Sequence, residues 1–179
     1  ASGSKTGEEI LNLSQKITAF RSFDKELNEA IEAGEDVLKH LKAACESLES
    51  AKGWGTWDLI GGGTISGLAK HYHIDNAKES VSVAQSKLSR FRGELADVKM
   101  IYDLSVDISD FARFADIFFD GLLADWHVQS RIKDSLESVE KTKNQVNGVL
   151  VKLKTMKREN ISKIKSLEEE INNLIRICK

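Results

Sequence analysis

The sequence predicts an all-α protein, an elongated antiparallel helical bundle or coiled coil, and three observations carry that prediction. Its 179 residues contain no proline, the residue that costs a helix interior about 3 kcal/mol. Apolar residues recur at alternating spacings of three and four over long stretches, the signature of a helical seam. One Gly/Trp-rich interruption, GWGTWDLIGGG at residues 53–63, separates two such stretches where the chain must reverse.

The first helix is expected over residues 5–52, with its seam at Ile10, Leu13, Ile17, Phe20, Leu27, Ile31, Leu38, Leu41, Cys45 and Leu48. Only Asp24 and Gly34 break that stripe, and Ser22 or Asp24 is a candidate cap for a break near residue 22. Gly53 is expected to stop the helix. A second helix over 64–99 repeats the pattern at Ile74, Ala77, Val81, Ala84, Leu88, Phe91, Leu95 and Val98. Leu104, Val106 and Ile108 then alternate with polar residues, so residues 100–109 read as an extended connector.

A third helix is expected over 110–179. It opens on an aromatic-rich stretch and continues with a seam at Ile132, Leu136, Val139, Val146, Leu150, Leu153, Ile164, Leu167, Ile171, Leu174 and Cys178. An up, down, up arrangement leaves half of this helix without a neighbour. The expected resolutions are a fold-back near residues 157–162, or burial of the Ile164, Leu167, Ile171 and Leu174 seam by another molecule, self or another helical protein. A homo-oligomer, a dimer, follows. Charge agrees with pairing between the ends of the chain: residues 1–130 carry 14 basic and 21 acidic side chains, residues 131–179 carry 12 and 7, and opposite signs attract.

Length and composition fit a single domain, residues 1–179, with 41% hydrophobic and 30% charged residues in the range of soluble folded chains. Residues 1–4 read as an expression remnant. No run approaches the roughly 18 to 20 apolar residues of a membrane-spanning helix, and no signal-peptide pattern is present. Cys45 and Cys178 sit at apolar seam positions as free thiols, which suits a reducing, cytoplasmic compartment.

The glycine segment fails as a nucleotide loop, because Thr64 and Ile65 rather than Lys-Ser or Lys-Thr follow its last glycine. Reversal explains its glycines, with Trp54 and Trp57 closing the end of the bundle. An anion nest at the start of the second helix is the rival reading. Pairing the first two helices across this turn sets residues whose numbers sum to roughly 116 side by side. His40, Cys45, His71 and Asp75 then approach one another, a donor set of the kind zinc takes, and a metal- or anion-binding regulator is the alternative function.

No GxSxG elbow is present, and two- or three-helix layers offer no deep cleft. The basic C-terminal stretch lacks the interleaved aromatics that stack nucleic-acid bases. Phe111, Phe114, Phe118, Leu122 and Trp126 line one side of a helix, which makes them core residues. Asp110, Asp116, Asp120 and Asp125 on its polar side carry the wrong sign for anionic lipid. A pore-forming helical toxin component is the remote alternative.

GWGTWDLIGGG followed by KHYHID and LSRFRGELADV resembles a group of bacterial helical coiled-coil proteins. The resemblance covers roughly residues 24–98, through Ala33-Gly34, Trp54-Gly55, Trp57-Asp58, Gly61 to Gly63, Lys70-His71 and Ile74-Asp75. It implies a cytoplasmic bacterial coiled-coil protein with no known activity. The expected function is therefore a non-enzymatic structural or protein-interaction module that takes no cofactor. Its expected interaction residues are Trp54, Trp57 and Asp58 at the turn and Ile164, Leu167, Ile171 and Leu174 on the tail.

Overall fold

The computed structural model describes residues 2–57, 66–101 and 130–177, all of them helical. They form α1 (Ser2–Trp57), α2 (Ser66–Ile101) and α3 (Ser130–Ile177), about 84, 54 and 72 Å long at 1.5 Å per residue. The expected all-α bundle is what the chain forms. Residues 58–65 of the glycine turn, residues 102–109 of the expected connector and the aromatic-rich residues 110–129 lie outside the described residues, as does Cys178.

Two expectations about α1 are corrected. The helix runs unbroken past Ser22 and Asp24, and it continues through Gly53 and Gly55 to Trp57. A helical glycine costs about 1 kcal/mol, a penalty that a long, well-packed helix absorbs. Asp24 acts inside the helix rather than as a cap: its Oδ2 accepts a hydrogen bond from Asn28 Nδ2 at 3.1 Å. Similarly, α2 extends through Met100 to Ile101, so the connector does not start at residue 100.

The extension of α1 changes its register against α2. Lys87 Nζ meets Asp36 Oδ2 at 2.8 Å, and the Ser47 and Ser80 hydroxyls are 3.0 Å apart. The two helices are antiparallel, but slid by about seven to eleven residues from the expected pairing: the numbers of facing residues sum to 123 at Asp36 and Lys87 and to 127 at Ser47 and Ser80, rather than to roughly 116.

The course of α3 is the main departure from expectation. It passes Cys45 at Glu140 and Lys143, Gly34 at Leu150, Glu35 at Lys154, Phe20 at Asn160 and Arg21 at Glu168. It therefore runs antiparallel to α1 and parallel to α2, not up, down, up. It is also continuous through residues 157–162. The tail does not lack a neighbour, since the first half of α1 covers it. Helix ends fit the dipole, with Lys99 in the last turn of α2 and Arg176 in that of α3.

Heptad labels make the layering explicit. In α1, Ile10, Ile17, Asp24, Ile31, Leu38 and Cys45 take position a, and Leu13, Phe20, Leu27, Gly34, Leu41 and Leu48 take d. Position g holds Glu9 and Lys16, then Phe23, Ala30, Val37, Ala44 and Ala51. The exposed pair precedes the switch, and every g residue from Phe23 onward is buried. In α3 the same position holds buried Ser135, Thr142 and Val149 and half-buried Met156, then exposed Lys163 and Glu170.

Both helices lose their third buried stripe where α2 ends. Phe91 touches the Gly34 level, and Ile101 is ten residues farther along an antiparallel partner, level with Asp24. The molecule thus has a wide section, in which α1 packs against both α2 and α3. Among the described residues it narrows to a two-helix stalk of α1 residues 2–22 and α3 residues 161–177. In the wide section the α2 seam from Ala77 to Val98 is fully buried, as its spacing predicts.

Candidate interaction surface

The stalk and its junction with the wide section are built on the a and d positions of α1 and α3. Leu13 and Ile17 are buried there, and Ile10, Phe20, Ile164, Leu167, Ile171 and Leu174 are half-buried. A two-helix seam covers each apolar side chain from one side only, which explains the difference from the fully buried wide section. The four tail residues expected to meet another molecule thus lie on the stretch of α3 that α1 covers.

At the junction the seam turns polar. Asn160, at a d position and 3% exposed, donates from Nδ2 to the Phe20 carbonyl at 2.9 Å. Its Oδ1 and the Oδ1 of Asp24, which occupies the opposing a position, are buried without a protein partner. A polar residue at a core heptad position sets register at a cost in stability. Asn160→Leu is therefore expected to raise the unfolding free energy by about 1 kcal/mol, read as a higher Tm in thermal melts; an unchanged or lower Tm contradicts this account.

Two ion pairs clip the e flanks of α1 and α3 together. Arg21 Nη2 reaches Glu168 Oε1 at 2.8 Å, and Lys154 Nζ reaches Glu35 Oε1 at 2.6 Å. Both link position e to position e, so opposite charges favour this antiparallel register. Lys163 adds its ammonium over the Phe20 ring, 5.8 Å from the centroid.

The same flank carries apolar side chains that the heptad rule expects to be polar. Val151 is 66% and Ile161 49% exposed. With Ile31 beneath them, and Lys154, Lys157 and Arg158 on the rim, they line an open groove of about 560 Å³. Toward the stalk tip, Leu11 is 61% and Ile175 42% exposed on the same flank. Glu8 follows next to Leu11 around α1, Arg176 adjoins Ile175, and Glu168 and Glu169 lie about two turns before it. Seam counting misses these four residues because it discards positions b and e; apolar residues at those positions are the signal that finds them.

The His40, Cys45, His71 and Asp75 cluster of the alternative metal reading does not assemble. His40 Nδ1 lies 2.8 Å from the Asp36 carbonyl and 3.3 Å from Asp36 Oδ1. Cys45 faces α3, where burial pushes its thiol pKa up and Lys143 partly offsets the shift. Asp75 stands about ten residues, or about 15 Å, past His40 along the bundle in the observed register, and His71 lies one turn farther still. Among the described residues, no three His, Cys, Asp or Glu side chains form a metal-binding group. Trp54 and Trp57 belong to the last turn of α1, and Asp58 lies outside the described residues. Among the described residues no helix is long and apolar enough to cross a membrane.

Asp36 instead serves the α1–α2 interface. The hydrogen bond from Lys87 holds its pKa below the ordinary value of 3.8, against the opposing effect of burial, with Lys87, His40 and Lys39 adding charge attraction. A carboxylate with a lowered folded pKa stabilises the fold above its unfolded pKa and loses that contribution as pH falls through the folded one. Asp36→Asn is expected to cost up to about 1 kcal/mol near neutral pH. In urea titrations the difference from wild type should shrink as pH falls below the ordinary aspartate range; a gap that stays constant as the solution is acidified contradicts the assignment.

Comparison with protein-family models, curated proteins and solved structures finds no match for this chain.

Proposed function

We propose that this chain is a non-enzymatic, coiled-coil protein-interaction module, whose wide section anchors a stalk that presents one flank to a helical partner. The observation that carries the reading is the pattern on that flank. Its a and d positions are occupied within the chain, yet its b and e positions carry exposed Leu11, Val151, Ile161 and Ile175. Exposed apolar side chains that line up on one face of a rod, bordered by charge, are the composition of a binding surface rather than scattered exposure.

A reducing, cytoplasmic setting suits the free thiol of Cys45 in the core. Lysine-directed cross-linking in the native cell, with peptide mapping, tests the function. Links from Lys16, Lys25, Lys157 and Lys165 to a second polypeptide, self or other, are the expected result. Links confined to pairs within one chain would refute an interaction role.

A further inference from the structure

We infer that Lys157 is a latch on the junction: its ammonium has a second position inside the α1–α3 seam, where it donates to the unpartnered oxygens of Asp24 and Asn160. The inference is independent of the interaction role proposed above. Need, supply and reach each point to this lysine.

The need is for a donor. Asp24 Oδ1 and Asn160 Oδ1 are both buried without a protein partner. Asp24 Oδ2 already accepts from Asn28, and Asn160 Nδ2 is committed to the Phe20 carbonyl. Two acceptors cannot satisfy each other. A carboxylate oxygen shut off from water is costly until a donor reaches it, and a cationic donor gains most.

The supply is one free cation. Six lysines and arginines lie between Arg21 and Lys25 on α1 and between Lys154 and Lys163 on α3. Arg21 pairs with Glu168, Lys25 with Glu26 and Glu29, and Lys154 with Glu35. Arg158 donates to Thr155, and Lys163 sits over the Phe20 ring. Lys157 has no such partner among the described residues. It lies half-buried on the rim of the groove that Ile31 also lines.

Reach follows from the register. The a and d layers of the α1–α3 seam pair residues whose numbers sum to 184, as at Gly34 and Leu150. Asp24 therefore shares a layer with Asn160, and Leu27 shares the next one with Lys157. That step is three residues, about 4.5 Å along the helix axis, and the four-carbon stem of a lysine is longer. Asp24 and Lys157 both occupy position a, toward the side of the seam where the e residues Arg21 and Glu168 meet. Turning the stem inward is thus a change of side-chain rotamers that leaves both helices in place.

The latch ties the register of the stalk to a charge. A slide of one heptad either way would set Asn160 opposite Ile17 or Ile31 and Asp24 opposite Leu153 or Leu167, about 10 Å out of step with each other. Only the observed register brings all three groups together. Inward rotation also takes one positive charge off the groove rim, where Lys154 and Arg158 remain.

Denaturant unfolding of the wild type, Lys157→Met, Asp24→Asn and the double variant tests the latch, with circular dichroism to confirm that each chain is helical. Methionine keeps an apolar stem and supplies no donor. Lys157→Met is expected to lower the folding equilibrium constant at least about five-fold in the wild-type background, and to leave it unchanged or raise it in the Asp24→Asn background. Lys143→Met is the control. Lys143 also occupies position a, but about 21 Å along α3 from Lys157 and opposite Leu41, so its effect should be the same in both backgrounds. Nuclear magnetic resonance of the unsubstituted chain reads the contact without any variant that could fail to fold: the Lys157 ammonium should exchange with water more slowly than that of exposed Lys165. An equal effect of Lys157→Met in the two backgrounds, or a Lys157 ammonium that exchanges as fast as that of Lys165, overturns the inference.

Discussion

Gly34→Val is expected to lower the unfolding free energy by about 3 kcal/mol. Helix propensity alone predicts the opposite sign, since glycine is among the poorest helix formers. Packing decides otherwise. A Cβ at position 34 would stand 2.8 Å from Leu150 Cδ2, 2.9 Å from Phe91 Cε2 and 3.0 Å from Phe91 Cζ. Those atoms belong to side chains that are 4% and 0% exposed, so neither has free volume to retreat into. Overpacking of this kind typically costs 1–3 kcal/mol, and the two γ-methyls of valine add to it. Gly34→Ala should show the smaller, partly compensated loss. Chemical denaturation measures both, and a Gly34→Val protein as stable as wild type would mean that the three helices do not converge there.

Phe91→Ala is the second large effect, at about 3–5 kcal/mol for a fully buried phenylalanine. Its value as a test lies in the coupling. If the ring of Phe91 on α2 fills the space above Gly34 on α1, truncating it makes room for the valine. The double variant Gly34→Val/Phe91→Ala should then be at least about 1 kcal/mol more stable than the two single losses predict. Simple additivity would place the two residues out of contact and contradict the register of α1 against α2.

The a and d stripes were legible because heptad spacing is a local property. The α2 seam from Ala77 to Val98 was read residue for residue, and most of the α1 stripe likewise. Helix direction was not legible. The seam on α3 has the same spacing whichever way the helix runs, so an expected short connector set the direction in the sequence reading. What distinguishes the two courses is the charge at position e. Arg21 with Glu168 and Glu35 with Lys154 are complementary only in the antiparallel register, and such pairs become visible once two helices are aligned.

The extent of the wide section was also written in the chain, in a less obvious place. Position g changes from Glu9 and Lys16 to Phe23, Ala30 and Val37 on α1, and from Thr142, Val149 and Met156 to Lys163 and Glu170 on α3. A g position turns apolar only where a further element covers it, so this switch marks where α2 ends. The candidate cluster of His40, Cys45, His71 and Asp75 failed for a related reason. A turn centred a few residues later shifts every cross-helix neighbour, and ligand geometry near 2 Å does not survive a shift of seven residues or more.

The central claim is that α3 runs antiparallel to α1, so that the tail seam closes inside the chain and binding falls to the flank. Electron–electron dipolar spectroscopy between spin labels at Thr18 and Lys165, both exposed and nearly level in this register, tests it most directly. The labelled chain would be diluted in unlabelled protein, so that only distances within one molecule are read. With helix axes about 10 Å apart and labels on the outer surface, a single distance of roughly 20 Å is expected. A distance beyond about 50 Å, as a tail pointing away from the start of α1 requires, would contradict the account.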